Sequence, residues 1–91
     1  MNKDLTLLQD SITNFQVLLL KYKSGQGIIS EREIEPLAIY FEQGEWKLIA
    51  FCRLRKENRT FLFTRFHTLE KTEKEFAPNQ FSLKSNFRKP I

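Results

Sequence analysis

The sequence predicts a mainly β domain, a small half-open barrel of about five short strands preceded by one N-terminal helix. Three observations carry this prediction. Leu5, Leu8, Ile12 and Phe15 form one apolar stripe at spacings of three or four, the mark of a single amphipathic helix. β-capable runs then recur at short intervals, punctuated by glycine, proline and polar turns. Two of these runs, 46–55 and 59–66, flank the polar tripeptide Lys56-Glu57-Asn58 and read as a hairpin.

The helix is expected over about 4–15, with Lys3, Asp4, Gln9, Asp10 and Asn14 off the stripe and Asp4 placed to cap its start. It could instead run on to Leu20, because periodicity alone does not separate the two. Residues 17–23 are a dense β-capable run that ends at the glycine turn Ser24-Gly25-Gln26-Gly27. Residues 28–35 alternate, with Glu31, Glu33 and Glu35 on one side and Arg32 and Ile34 on the other. Pro36 ends that run or sits at a strand edge. A further strand is expected over 37–41, then a tight connection at Glu42-Gln43-Gly44-Glu45, then the hairpin. Residues 68–76 are polar around Leu69 and Phe76 and read as a short helix or turn. One domain is expected over 1–80, with its barrel over about 16–76 and a linker or tail over 81–91.

The bulk numbers bound the function classes. Ninety-one residues hold one small core. The hydrophobic share of 41% argues against wholesale disorder. A net charge of +4 fits an anionic partner, and equally fits simple solubility. Nine phenylalanines, against two tyrosines and one tryptophan, should mostly fill a core. The single cysteine excludes an internal disulfide framework. No signal-like N-terminus occurs, nor an apolar run near the roughly 18–20 residues that span a bilayer. A soluble, cytoplasmic protein without membrane contact is the expectation.

Catalytic and metal chemistry find little support. His67 is the only histidine, and Cys52 falls on the expected core face, so a Cys–His dyad or an ordinary zinc set is not offered. The three glutamates of 31–35 read as a solvated face. Gly25-Gln26-Gly27 lacks the Lys-Ser/Thr and helix of a phosphate loop and reads as a turn. No cofactor motif is present, and the expectation is a protein that is not an enzyme.

The hairpin is the most informative stretch. With Lys56-Glu57-Asn58 as a three-residue loop, Arg55 would face Arg59, Arg53 would face Phe61, Phe51 would face Phe63 and Ile49 would face Arg65. Lys47, Ile49, Phe51, Arg53, Arg55, Arg59, Phe61, Phe63 and Arg65 would then share a cationic, aromatic face. Trp46, Leu48, Ala50, Cys52, Leu54, Leu62 and Phe66 would form the core face. Arg55 opposite Arg59 is a like-charge conflict, which either marks function or relaxes by splaying into water. A loop one residue longer or shorter would swap the faces.

An ordered set of residues resembles the WYL domain of bacterial helix-turn-helix transcriptional regulators. It consists of Tyr22 before Ser24-Gly25, Arg32-Glu33-Ile34-Glu35-Pro36, Trp46-Lys47-Leu48, Arg59-Thr60-Phe61 and Thr64-Arg65. Two departures stand out: Lys47 where the family's naming tyrosine would be, and Thr64 where an aspartate is usual. The resemblance implies an Sm-like, SH3-type β-barrel with a basic pocket that senses nucleic acid or nucleotides and relays this to an attached DNA-binding domain. That helix-turn-helix reader is not expected in this chain, which reads as a piece of, or a companion to, a larger regulator.

The expected ligand is single-stranded nucleic acid or a nucleotide. Arg59 and Arg65 would hold phosphate, and Arg32, Arg53 and Lys47 would add charge. Tyr22 would stack or hydrogen-bond, Ser24 would donate to an oxygen, and Phe61 would either stack or brace the arginines. The competing reading is a protein–protein or homodimerisation module built on exposed strand edges and on Phe81 and Phe87 of the tail.

Overall fold

Residues 16–23 form a strand rather than a helical extension because the chain turns sharply before them. The computed structural model describes residues 2–77; the expected tail, with Phe81 and Phe87, lies outside them. Helix α1 spans Asn2–Asn14 and Phe15 then takes a left-handed φ of 55°, which ends the helix. Its start lies earlier than expected, so Asp4 sits in the first turn, where a carboxylate complements the helix dipole, and is not the cap. Leu8 is the stripe residue that reaches full burial. Phe15 leaves the stripe and meets Phe76 edge to face at 5.7 Å.

Five antiparallel strands follow: β1 (Gln16–Lys23), β2 (Ile29–Glu42), β3 (Glu45–Cys52), β4 (Glu57–Leu62) and β5 (Phe66–Glu75). They make one sheet in the order β4-β3-β2-β1-β5, open at β4 and β5 and not closed into a barrel. A strand count near five is correct, but two of its members differ from the expectation. The segments expected at 28–35 and 37–41 are one long strand, and residues 66–75, expected in part as a helix or turn, are β5.

Both differences have a physical cause. β2 pairs with β1 only up to Ile34 and with β3 only from Ile34 onward. Pro36 lies just past the last β1 partner, so its missing N–H breaks no β1–β2 bond, and a register shift between Pro36 and Ala38 absorbs its geometry. β5 is polar because it is an edge strand whose partner, β1, carries the apolar residues. Leu69 and Phe66 are its contribution to the core.

The hairpin register also differs. The loop is residues 53–56, closed by the Lys56 N–H on the Cys52 carbonyl at 2.7 Å, with Lys56 at φ 57°. Arg59 therefore faces Ala50 and not Arg55, a slip of five positions. An odd slip turns β4 over. Phe61 now lies beside Leu48 on the core face and is 2% exposed, while Leu62 pairs with Lys47 on the other side. This register buries a large ring and removes the Arg55–Arg59 clash. Leu54, expected in the core, lies in the loop and is exposed. Phe63 is buried within a 3₁₀ turn, Phe63–Arg65, that interrupts the strand expected over 59–66.

The core face gathers Leu18, Leu20, Ile34, Leu48, Ala50, Cys52 and Phe61 beneath Leu8 of α1. Burial of these side chains, at about 1.5–3 kcal/mol for each large one, is the main stabilising term. No helix among the described residues is long and apolar enough to cross a membrane.

Candidate functional site

The core face continues past its apolar part into polar residues. On β1 it runs Leu18, Leu20, Tyr22, and on β2 Ile34, Arg32, Ser30, each pair opposed in the ladder. On β4 it runs from Phe61 to Arg59. No residue of α1 lines this end, and a cavity of about 360 Å³ remains there. Its walls are Tyr22, Ser24, Gly25, Ser30, Arg32, Arg55, Arg59, Thr60, Phe61 and Arg65. Four are arginines and none is a carboxylate.

Each wall residue has a local reason for its place. Ser24 opens the β1–β2 turn, and its Oγ accepts the N–H groups of Gln26 and Ile28, both at 3.2 Å. Its hydroxyl proton is thereby left to donate. Gly27 at φ 84° completes that turn. A Cβ on Gly25 would stand 3.5 Å from both terminal nitrogens of Arg65, so the turn and the guanidinium are in contact distance.

Arg32 forms the floor. Its Nη2 donates to Ser30 Oγ at 2.6 Å and its Nη1 to Cys52 Sγ at 3.7 Å. Its guanidinium carbon lies 5.8 Å from the centre of the Phe61 ring, a cation–π arrangement. Its Nε is buried and has no hydrogen-bond partner. A buried donor without an acceptor is costly and marks a place where a ligand oxygen would be welcome. Arg59 is tethered by Glu57, Nη1 to Oε2 at 3.0 Å.

Of the expected site residues, Tyr22, Ser24, Arg32, Arg59, Phe61 and Arg65 meet at this cavity. Phe61 lies against Arg32 from the core and is 2% exposed, so it offers little ring surface to the cavity. Lys47 and Arg53 do not join them. Lys47 lies on the opposite face, bound to Glu42 at 3.1 Å, and that pairing, through its hydrogen bond above all, raises its pKa above 10.5. Arg53 folds back onto Glu35 at 2.9 Å and Glu33 at 3.5 Å. Lys74 adds a 2.7 Å contact to Glu33. The glutamates expected to form a solvated face are thus partly a paired network, with Glu35 buried.

Gly25, Ser30, Arg55 and Thr60 complete the cavity without having been singled out as binding residues. Ser30 was within reach of the sequence, since alternation places it on the same face as Arg32. Arg55 was visible in the sequence as one member of the expected Arg55–Arg59 conflict on the cationic hairpin face. The other two depend on the folded turn and edge.

Residues 3–71 match the WYL domain. The fold superposes on proteasome accessory factor B/C (PafBC) of Arthrobacter aurescens with a TM-score of 0.79 and 25% identity, covering 84% of this chain and 12% of that one. No curated protein matches. The chain thus spans about an eighth of the length of PafBC. Since the match covers most of its length, both its helix and nearly all of its sheet, this chain belongs to the WYL-domain family.

Proposed function

We propose that this chain is the ligand-sensing domain of a bacterial, cytoplasmic transcriptional regulator, and that it binds single-stranded nucleic acid or a nucleotide in the arginine-lined cavity. The observation that carries the reading is the convergence of Arg32, Arg55, Arg59 and Arg65 around one cavity without a lining carboxylate. Guanidinium groups match phosphate oxygens bidentately and stay charged at any physiological pH. The hydroxyls of Ser24, Ser30 and Thr60 add neutral polar partners for a sugar or base. Membership of the WYL-domain family supports placing such a domain in a transcriptional regulator, with a helix-turn-helix domain as its partner. The role is binding and not catalysis. The open sheet corresponds to an Sm-like, SH3-type half-open barrel left unclosed between β4 and β5, a reading supported by the split pairing of β2 and the 3₁₀ turn leading into β5.

The test is fluorescence anisotropy of a labelled short single strand, titrated at low and moderate salt. Saturable binding should weaken with salt, with a log–log slope of about −0.7 per phosphate contacted. Arg59→Ala and Arg65→Ala should each lower affinity about 10- to 100-fold with the fold intact. Affinity unchanged in both variants would sink the assignment.

A second reading, self-association, draws on the open edges of β4 and β5 and on exposed Ile28, Ile29, Phe41 and Leu54. Mass that rises with concentration, unaffected by oligonucleotide, would favour it.

A further inference from the structure

We infer that Tyr22 is a positioning residue that sets the place of Arg65 through the backbone of Leu62, and that it does not set the place of Arg59. The inference rests on the cavity being the binding site proposed above.

The phenol oxygen of Tyr22 accepts the Leu62 N–H at 2.9 Å, a contact between residues forty positions apart. Leu62 ends β4 and is the cap residue of the 3₁₀ turn Phe63–Arg65. That turn is closed at its far end by the Phe66 N–H on the Phe63 carbonyl. Arg65 is its last residue, so a tether at Leu62 fixes where the turn begins and hence where the guanidinium falls against Gly25. The Tyr22 ring is itself held on two sides. Phe61 meets it edge to face at 5.0 Å, and Phe66 meets it at 6.3 Å with an interplanar angle of 67°. Phe61 and Phe66 flank the turn in sequence, so the ring and its hydroxyl grip both ends of the segment that carries Arg65.

Two of the four cavity arginines, Arg59 and Arg65, are placed by different means. Arg59 is held by an ion pair with Glu57 at 3.0 Å. Arg65 makes no ion pair among the described residues. Its direction therefore follows from the backbone of the turn, and Tyr22 is the side chain that fixes that backbone. Tyr22 keeps its hydroxyl proton while accepting from Leu62, so a direct contact with ligand is also open to it. The two roles differ in what they couple to.

The experiment is a double-mutant cycle on the full chain, with a fluorescein-labelled short single strand as the probe. Tyr22→Phe preserves the ring contacts and removes the acceptor. It should weaken binding about fivefold, and by the same factor in the Arg59→Ala background. In the Arg65→Ala background it should have almost no further effect. Equal losses in both backgrounds would mean a direct or general role and would overturn the inference. Should the wild-type chain fail to bind the probe, the binding proposal fails by itself, and ¹⁵N NMR still decides the positioning role. Tyr22→Phe should then shift the Leu62 amide and the Arg65 Nε–H resonance and leave that of Arg59 in place. Unshifted Arg65, or equal shifts in both arginines, would overturn it.

Discussion

Arg53 donates from Nε to Oε2 of Glu35 at 2.9 Å, and the carboxylate it meets is almost entirely buried. The two residues pin the start of the β3–β4 loop to β2, assisted by the Arg53 N–H on the Glu33 carbonyl at 3.0 Å. An arginine two positions from Arg55 thus serves the fold while Arg55 lines the cavity.

Arg53→Ala is expected to lower stability by about 1–3 kcal/mol, because it strands the buried Glu35 carboxylate. Binding of a phosphate-bearing probe should stay unchanged. Urea unfolding and anisotropy on the same sample check both parts, and a loss of affinity at full stability would contradict this division of labour.

Arg32→Met should behave in the opposite way. It removes a buried Nε that has no partner and keeps the packing over Phe61, so stability should hold or rise by up to about 1 kcal/mol. Probe affinity should fall at least tenfold. A clear drop in the unfolding midpoint would show that Arg32 stabilises the empty protein after all.

Phe61→Ala should cost about 3–5 kcal/mol, the usual range for emptying a buried phenylalanine site. Against the stability of a domain this small, that is enough to unfold a large fraction of the molecules. Circular dichroism and thermal melting would report it; a fully folded variant with weakened binding alone would return Phe61 to the role of a surface platform.

Acid should weaken the fold through Glu33. The hydrogen bond from Lys74, aided by the Lys74 and Arg53 charges, holds its pKa below the ordinary 4.5. A depressed carboxylate contributes stability above its unfolded pKa and loses it as pH falls through the lower folded value. Glu33→Gln should therefore lower the melting temperature slightly near neutrality and converge with the wild type as pH falls below about 4.5, which flattens its acid-induced loss of stability. Melting curves from pH 7 down to pH 3 for both proteins supply the comparison.

Gly44→Ala should destabilise the β2–β3 hairpin by about 1 kcal/mol, since Gly44 sits at φ 78° after Gln43 at φ 55°. No atom crowds the position, so the cost is conformational. An unchanged unfolding midpoint would show that the turn relaxes into another form.

Much of the site was legible in the sequence because its residues come from strand faces. Arg32 shares a face with Ile34 by simple alternation, and Ser24 and Gly25 form a turn that their composition announces. Lys47 and Arg53 misled for one reason. Alternation correctly grouped them on one face of β3 and its continuation, but the sequence also assigned Arg59 and Phe61 to that face. The odd slip in the β3–β4 register moved those two to the other side.

Local sequence specified the helix stripe from Leu5 to Ile12, most of the turns, the core face of β3 from Trp46 to Cys52, and the family. These depend on local periodicity and turn chemistry, which act between near neighbours. Packing between distant segments settled the rest. It joined the two halves of β2 through Pro36, because no β1 partner there needs its N–H. It recruited polar residues 66–75 as an edge strand, because β1 had an unpaired side. It chose the hairpin register that buries Phe61 and sets Arg59 opposite Ala50 instead of Arg55. The cavity is the product of those choices, since Tyr22, Arg32, Arg55, Arg59 and Arg65 meet only after all three have been made.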